Sequence, residues 1–178
     1  MPDLAVAVFA LLAPGRWQAL AASATAGSVA GGLISHRLAA YGFAPRAPMT
    51  TNRMRAQASA WLRDEGAAGL RHQPLSALPF KVFAAEAPGA GIDALPFVAT
   101  ATVVRGARHT VVGSAFAALG AGVRRLPPRA GRQALSVVVG ATLAGFAAGL
   151  VLVARRWADA HGDVDAWGDT PRPSGGSA

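Results

Sequence analysis

The chain has no cysteine, one lysine, and nine Asp and Glu residues against seventeen Lys and Arg. Without cysteine there is no disulfide and no thiolate metal site, and the redox compartment leaves no trace in the composition. The sequence contains no His-Glu-x-x-His pair and no nucleophile elbow. It also has no Gly-rich phosphate loop ending in Lys-Ser/Thr, which argues against nucleotide-driven chemistry. His36, His72, His109 and His161 are scattered, and a His72/Glu86/His109 set lacks metal-ligand spacing. The reading is therefore a protein with no metal, no cofactor and no enzymatic activity.

What is present is apolar. Of 178 residues, one domain's worth, 52% are hydrophobic and 15% charged. Residues 1–156 hold sixteen Lys and Arg against five Asp and Glu, 16 − 5 = +11, whereas 157–178 hold one Arg against four Asp, 1 − 4 = −3. A basic excess can mark a nucleic-acid binder. Here the arginines sit between apolar runs, as in the loops of membrane proteins. No aromatic-interleaved basic strand or recognition helix accompanies them, so nucleic acid is not expected as a partner.

The chain is organised around Leu78-Pro79-Phe80-Lys81-Val82-Phe83 and the Pro88-Gly89 break that follows. Pro74, Pro79 and Pro88 forbid an uninterrupted helix across Gly66–Gly91. An ionisable residue at membrane depth is costly unless it pairs, snorkels or lines a wet cavity, which makes Lys81 a functional candidate. Upstream, the uncharged run Leu4–Gly15 ends at Pro14-Gly15 and is too short to span. It suits a re-entrant arm better than a signal-peptide core, because Met1-Pro2-Asp3 lacks the basic start a signal needs. The abrupt start raises the expectation that the true start lies upstream.

Three stretches read as spans. Trp17–Ser35 is uncharged and about 28 Å long as a helix. Its Gly27-x-x-x-Gly31 either allows close helix approach or reflects glycine abundance. Residues 94–123, read as one helix, would run about 45 Å, longer than the hydrocarbon core. This helix is either tilted and kinked near Gly106 or turns Arg105 and Arg108 toward a hydrated interior. Gln133–Ala154 is the most secure span, closed by Arg155-Arg156-Trp157. Between them, Thr51–Leu62 is either an amphipathic surface helix with Arg53, Arg55 and Arg63 available to headgroups or an ordinary solvated one. Residues 157–178 have the composition of a disordered tail. The fold class is all-α membrane protein, with re-entrant or broken helices plus about three transmembrane helices over 1–156.

The two Pro-Gly breaks echo one another. Ala13-Pro14-Gly15 precedes the first span and Ala87-Pro88-Gly89 the second, and beyond them Ala24, Thr25, Ala26 and Gly31 match Ala99, Thr100, Ala101 and Gly106 at a constant offset. Two copies of a re-entrant arm followed by one span lie in opposite orientations, so the echo implies an inverted repeat, a transporter architecture. The positive-inside rule then places 37–63 and the tail in the cytoplasm.

Pro79-Phe80-Lys81-Val82-Phe83, then Gly89 and Gly91, an apolar run and Arg105-Gly106-Ala107-Arg108 resemble the DedA family, specifically its YqaA-like branch. Pro2-Asp3 and Gly27-Ser28-Val29-Ala30-Gly31-Gly32 resemble that family's acidic start and first helix, so the similarity covers residues 2–120. The chain departs from the pattern at His109-Thr110, where members carry an aromatic pair, and at Glu86, where a small or polar residue is usual. The resemblance, which extends to the VTT or SNARE-associated domain, implies a multi-pass protein of the bacterial inner membrane linked to translocation of polyprenyl phosphate or phospholipid. It casts Asp3 as the acid of the first arm, Lys81 as the basic group of the second, and Arg105 and Arg108 as the basic pair of the next helix.

The expected mechanism follows from the chemistry of moving phosphate through hydrocarbon. Lys81, Arg105 and Arg108 neutralise the headgroup, Asp3 and Glu86 exchange protons because burial raises carboxyl pKa values, and Pro14, Pro79, Pro88 and Gly89 make the re-entrant breaks. The alternative is a structural or accessory membrane protein without a transport cycle, a truncated or degenerate member.

Overall fold

A computed structural model describes residues 2–43, 50–76 and 78–158, with side chains through Arg155. Every regular element among them is helical. The first, α1 (Pro2–Leu12), buries Val6, Ala7, Ala10 and Leu11 as one stripe. It ends before Pro14, whose ring fits the first position of a 3₁₀ turn, Pro14–Arg16. From there α2 (Trp17–Ala40) runs back across the molecule.

The connector contains α3 (Asn52–Glu65), capped by the Thr51 hydroxyl accepting from the Met54 N–H at 3.2 Å. Met54, Ala58 and Leu62 are buried on one face of α3, in the face read from sequence. That face packs against protein, in one core with Leu70, Leu78, Val82 and Phe83, and so is not the membrane-facing surface of an amphipathic anchor. A close approach fixes the exit from α3, because a Cβ on Gly69 would meet the Trp61 carbonyl at 2.6 Å. The stretch with three prolines breaks as expected into a 3₁₀ segment (Gly66–His72), the single turn α4 (Gln73–Ser76), α5 (Phe80–Glu86) and a second Pro-Gly turn (Pro88–Ala90). Pro79 is the N-cap of α5 in extended conformation. Gly91 closes the break at φ +76°, a left-handed position that favours glycine.

Next comes α6 (Ala94–Val123), which is continuous through Gly106. Its buried residues Phe97, Ala101, Arg105, His109, Gly113 and Ala117 recur every four positions. They form one ridge of the kind that packs between neighbouring helices. Arg105 and His109 therefore stand in the same inward line as Phe97 and Ala101, while Arg108 lies off that line and is half-buried.

Both halves have the short helix, Pro-Gly turn, long helix plan. Along α6, Asp3 lies beside Arg108, Val6 near Gly113, and Leu11 against Gly120, so α1 runs parallel to α6. Along the same helix, Trp17 lies near Gly113, Thr25 beside His109 and Ser28 beside Arg105, and His36 lies beside Ile92 just before its start, so α2 runs antiparallel. Phe80 at the start of α5 meets Gly32, Phe97 and Arg105. Thus α1 and α5 both begin beside the middle of α6 and diverge to opposite ends. Between the long helices and their neighbours the close glycine contacts fall at Gly32, Gly113 and Gly120, while Gly27 and Gly31 face open space. Among the described residues no helix of this chain packs on the Gly27-x-x-x-Gly31 pair.

The last helix, α7 (Pro128–Ala158), touches α1 and α6 but buries none of its apolar window. It is the one helix among the described residues long and apolar enough to cross a membrane, over Pro128–Arg155. The other two stretches read as spans differ from it for visible reasons. Ser, Thr, Gly, Gln and His dilute α2, and Arg105, Arg108 and His109 interrupt α6. The Arg156 and Trp157 side chains and the acidic tail lie outside the described residues.

Candidate functional site

Halfway along α6 a polar cluster is built from four elements. Arg105, 4% exposed, lies with its guanidinium 5.4 Å from the centre of the Phe80 ring. Its Nε donates to the Ser28 hydroxyl at 3.0 Å, one terminal nitrogen to the Gln73 Oε1 at 3.4 Å, and the other to His109 Nε2 at 3.3 Å. His109 is fully buried, with Nδ1 2.9 Å from the Thr25 hydroxyl. One turn away, Arg108 donates from Nε to Asp3 Oδ1 at 3.0 Å and from a terminal nitrogen to the Pro74 carbonyl at 3.2 Å.

The charges do not cancel. The cluster holds two guanidiniums against one carboxylate, and that carboxylate is bonded to Arg108. Arg105 makes its hydrogen bonds to neutral acceptors. Moving such a charge out of water costs several kcal/mol even after relaxation, and neutral acceptors recover only part of it. The surplus positive charge is thus stored at the most buried point. Arg108 and Asp3, with side chains 31% and 15% exposed, form the rim nearest solvent.

Of the residues singled out from sequence, Asp3, Arg105 and Arg108 come together. Lys81 does not join them: it is exposed on the outward side of α5, although its neighbour Phe80 packs on Arg105. Glu86 lies at the far end of α5 in an ion pair with Arg55 of α3, outside the cluster. Pro14, Pro79, Pro88 and Gly89 all fall at helix breaks. His72, Glu86 and His109 are separately engaged, His72 with Glu65, and no three metal-ligating side chains assemble among the described residues.

Sequence reasoning missed His109, Gln73, Thr25 and Ser28 as members of the cluster. The fourfold spacing of Arg105 and His109 was a readable signal, because it puts both on one helix face. Ser28 and Thr25 have no such signal until the two halves are docked. Comparisons with family models, with curated proteins and with solved structures returned no match to this chain.

Proposed function

We propose that this is a membrane-embedded protein whose Arg105–Arg108–Asp3 cluster takes the anionic headgroup of a lipid, a polyprenyl phosphate or a phospholipid, and passes it between leaflets. The observation that carries this reading is the net positive charge at the buried centre, which a phosphate would neutralise through charge-assisted hydrogen bonds. The arrangement of the short helices agrees with it, since broken helices meeting near mid-depth are how many transporters hold ions. In this reading α2, α6 and α7 cross the membrane, at about 36, 45 and 46 Å. The exposed apolar α7 faces lipid, and its bracketing arginines Arg132 and Arg155 stand about 34 Å apart, close to the thickness of a hydrocarbon core. The setting implied by the DedA-like motifs is the bacterial inner membrane, with membrane lipids as partners.

Each charged group has a role in this scheme. Arg108 at the rim meets the phosphate first and Arg105 receives it. Lys81 acts outside the cluster, drawing headgroups toward the start of α5. Asp3 gives up its Arg108 contact when phosphate takes its place and stays in the cluster as its carboxylate. Glu86, tied to Arg55, acts at a distance by holding α5 to α3.

A second reading is favoured by a specific observation. Arg105 and His109 already have protein partners for their ring and guanidinium nitrogens, so a structural membrane protein could keep the cluster for docking its two halves. Reconstituted vesicles with a fluorescent phospholipid separate the two. Arg105→Ala and Arg108→Ala should each abolish accelerated flipping, and Lys81→Ala should slow it several-fold, with insertion intact. Wild-type flipping rates in both arginine variants would leave only the structural role.

A further inference from the structure

Hydrogen-bond accounting fixes the protonation of the buried histidine. Arg105 can only donate, so His109 Nε2, 3.3 Å away, must carry a lone pair. The ring proton then sits on Nδ1 and is donated to the Thr25 hydroxyl at 2.9 Å. Thr25 is left with its own hydrogen for the Ala21 carbonyl at 2.7 Å. One assignment satisfies all three bonds: neutral imidazole, Nδ1–H tautomer.

The same nitrogen faces a second partner, because Nε2 lies 3.5 Å from Asp3 Oδ1. The charged groups around the ring are Asp3 from α1 and Arg105 and Arg108 from α6 itself. From α2 the ring meets uncharged Thr25, and from α4 uncharged Gln73 reaches Arg105. We propose that His109 is the proton-binding residue of the anion site, and that a proton on Nε2 moves its hydrogen bond from Arg105 to Asp3, releasing the Arg105 terminal N–H to the anion. The geometry allows this with little ring movement, since both partners already stand at the same nitrogen.

The charge balance makes the two ligands cooperate. At rest the cluster carries Arg105, Arg108 and Asp3, a sum of +1, and a proton on His109 would raise it to +2. Between two guanidiniums that second charge is costly when the site is empty and tolerable when an anion has entered. The proton therefore comes from solvent with the anion and returns to solvent when it leaves. By linkage, whatever factor the proton adds to anion affinity, the anion adds to proton affinity. Thr25 keeps its hydrogen bond from Nδ1 in both states and acts as the pivot. This inference rests on the anion-site reading above, and it assigns the proton to His109 where the sequence had suggested carboxylates.

The test uses the full chain in neutral detergent micelles and dihexanoyl phosphatidylglycerol as probe, whose phosphodiester stays singly charged across the range. Calorimetry should give binding tighter by about tenfold at about pH 5.5 than at about pH 8. His109→Gln keeps an acceptor toward Arg105 and cannot be charged. It should bind the lipid with a pH dependence below about twofold. Histidine-labelled NMR on the wild type provides an independent readout. His109 should show the Nδ1–H tautomer without lipid and gain imidazolium character on adding it at about pH 7. Equal pH dependence in His109→Gln, or an Nε2–H tautomer in the lipid-free protein, would overturn the switch and leave the anion site standing. No binding by the wild type at either pH would overturn both.

Discussion

The two halves of the molecule share a plan and differ in chemistry. In each, a short helix leaves the centre, turns at Pro-Gly, and hands over to a long helix that crosses back. The long helix of the second half carries Arg105, Arg108 and His109, and at the offset that aligns the two halves the first has Ala30, Leu33 and Ile34. The acid comes from the other side, as Asp3 on the first short helix. A repeated element plan thus carries one basic and one acidic contribution, and the polar cluster forms where the halves meet, with Gln73 and the Pro74 carbonyl added from the segment between them. The difference teaches that the repeat supplies the geometry and its breaking supplies the charge.

Removing the acid should break this arrangement most. Asp3→Asn leaves two guanidiniums facing each other across a half-buried space with no counter-charge. A loss of about 3 kcal/mol is expected, measured by unfolding the detergent-solubilised protein. Arg108→Gln removes one of the two like charges along with its bond, and should cost only about 1 kcal/mol. If the two losses came out equal, charge surplus would not be the governing quantity.

The helix crossings give a second, smaller contrast. A Cβ on Gly120 of α6 would run into the Leu11 backbone of α1, which cannot rotate away, whereas one on Gly31 of α2 meets nothing. Gly120→Ala should therefore destabilise by about 2 kcal/mol. Gly31→Ala should be neutral or stabilise by up to about 1 kcal/mol through helix propensity. Thermal unfolding of the pair checks both signs.

Much of the plan was legible in the sequence. The Pro-Gly breaks, the bounds of α6 and the apolar face of α3 follow from local rules, because proline geometry and hydrophobic spacing act within a few residues. The partners of each charge were not legible. Lys81 and Arg105 read alike as basic residues in apolar surroundings, yet α5 turns one outward while the fourfold ridge of α6 turns the other inward. Glu86 looked available until α3 brought Arg55 to it. His109 was passed over because its worth depends on Thr25, eighty-four positions away. Charge in a helical protein is read by docking, which the linear pattern does not encode.

The segment between the halves has no counterpart in the repeat, and it offers the smallest and cleanest perturbation. At the end of α3, Glu65 accepts from His72 Nε2 at 2.8 Å and pairs with Arg71 at 3.2 Å. The His72 hydrogen bond, with Arg71 adding to it and desolvation opposing, holds the Glu65 carboxyl below the usual glutamate range. The unfolded chain takes up a proton at the ordinary value and the folded one only at lower pH. The contribution to stability is therefore full above the ordinary glutamate pKa and is lost as pH falls through the folded value. Wild type should melt above Glu65→Gln at neutral pH, and the gap should close on acidification below about pH 4. Lipid binding by Glu65→Gln should match wild type, because the connection at Glu65 lies outside the halves. Weakened binding would instead show that the Glu65 pairing steadies Gln73 and the Pro74 carbonyl on the two arginines, so that the connector tunes the cluster it already contacts.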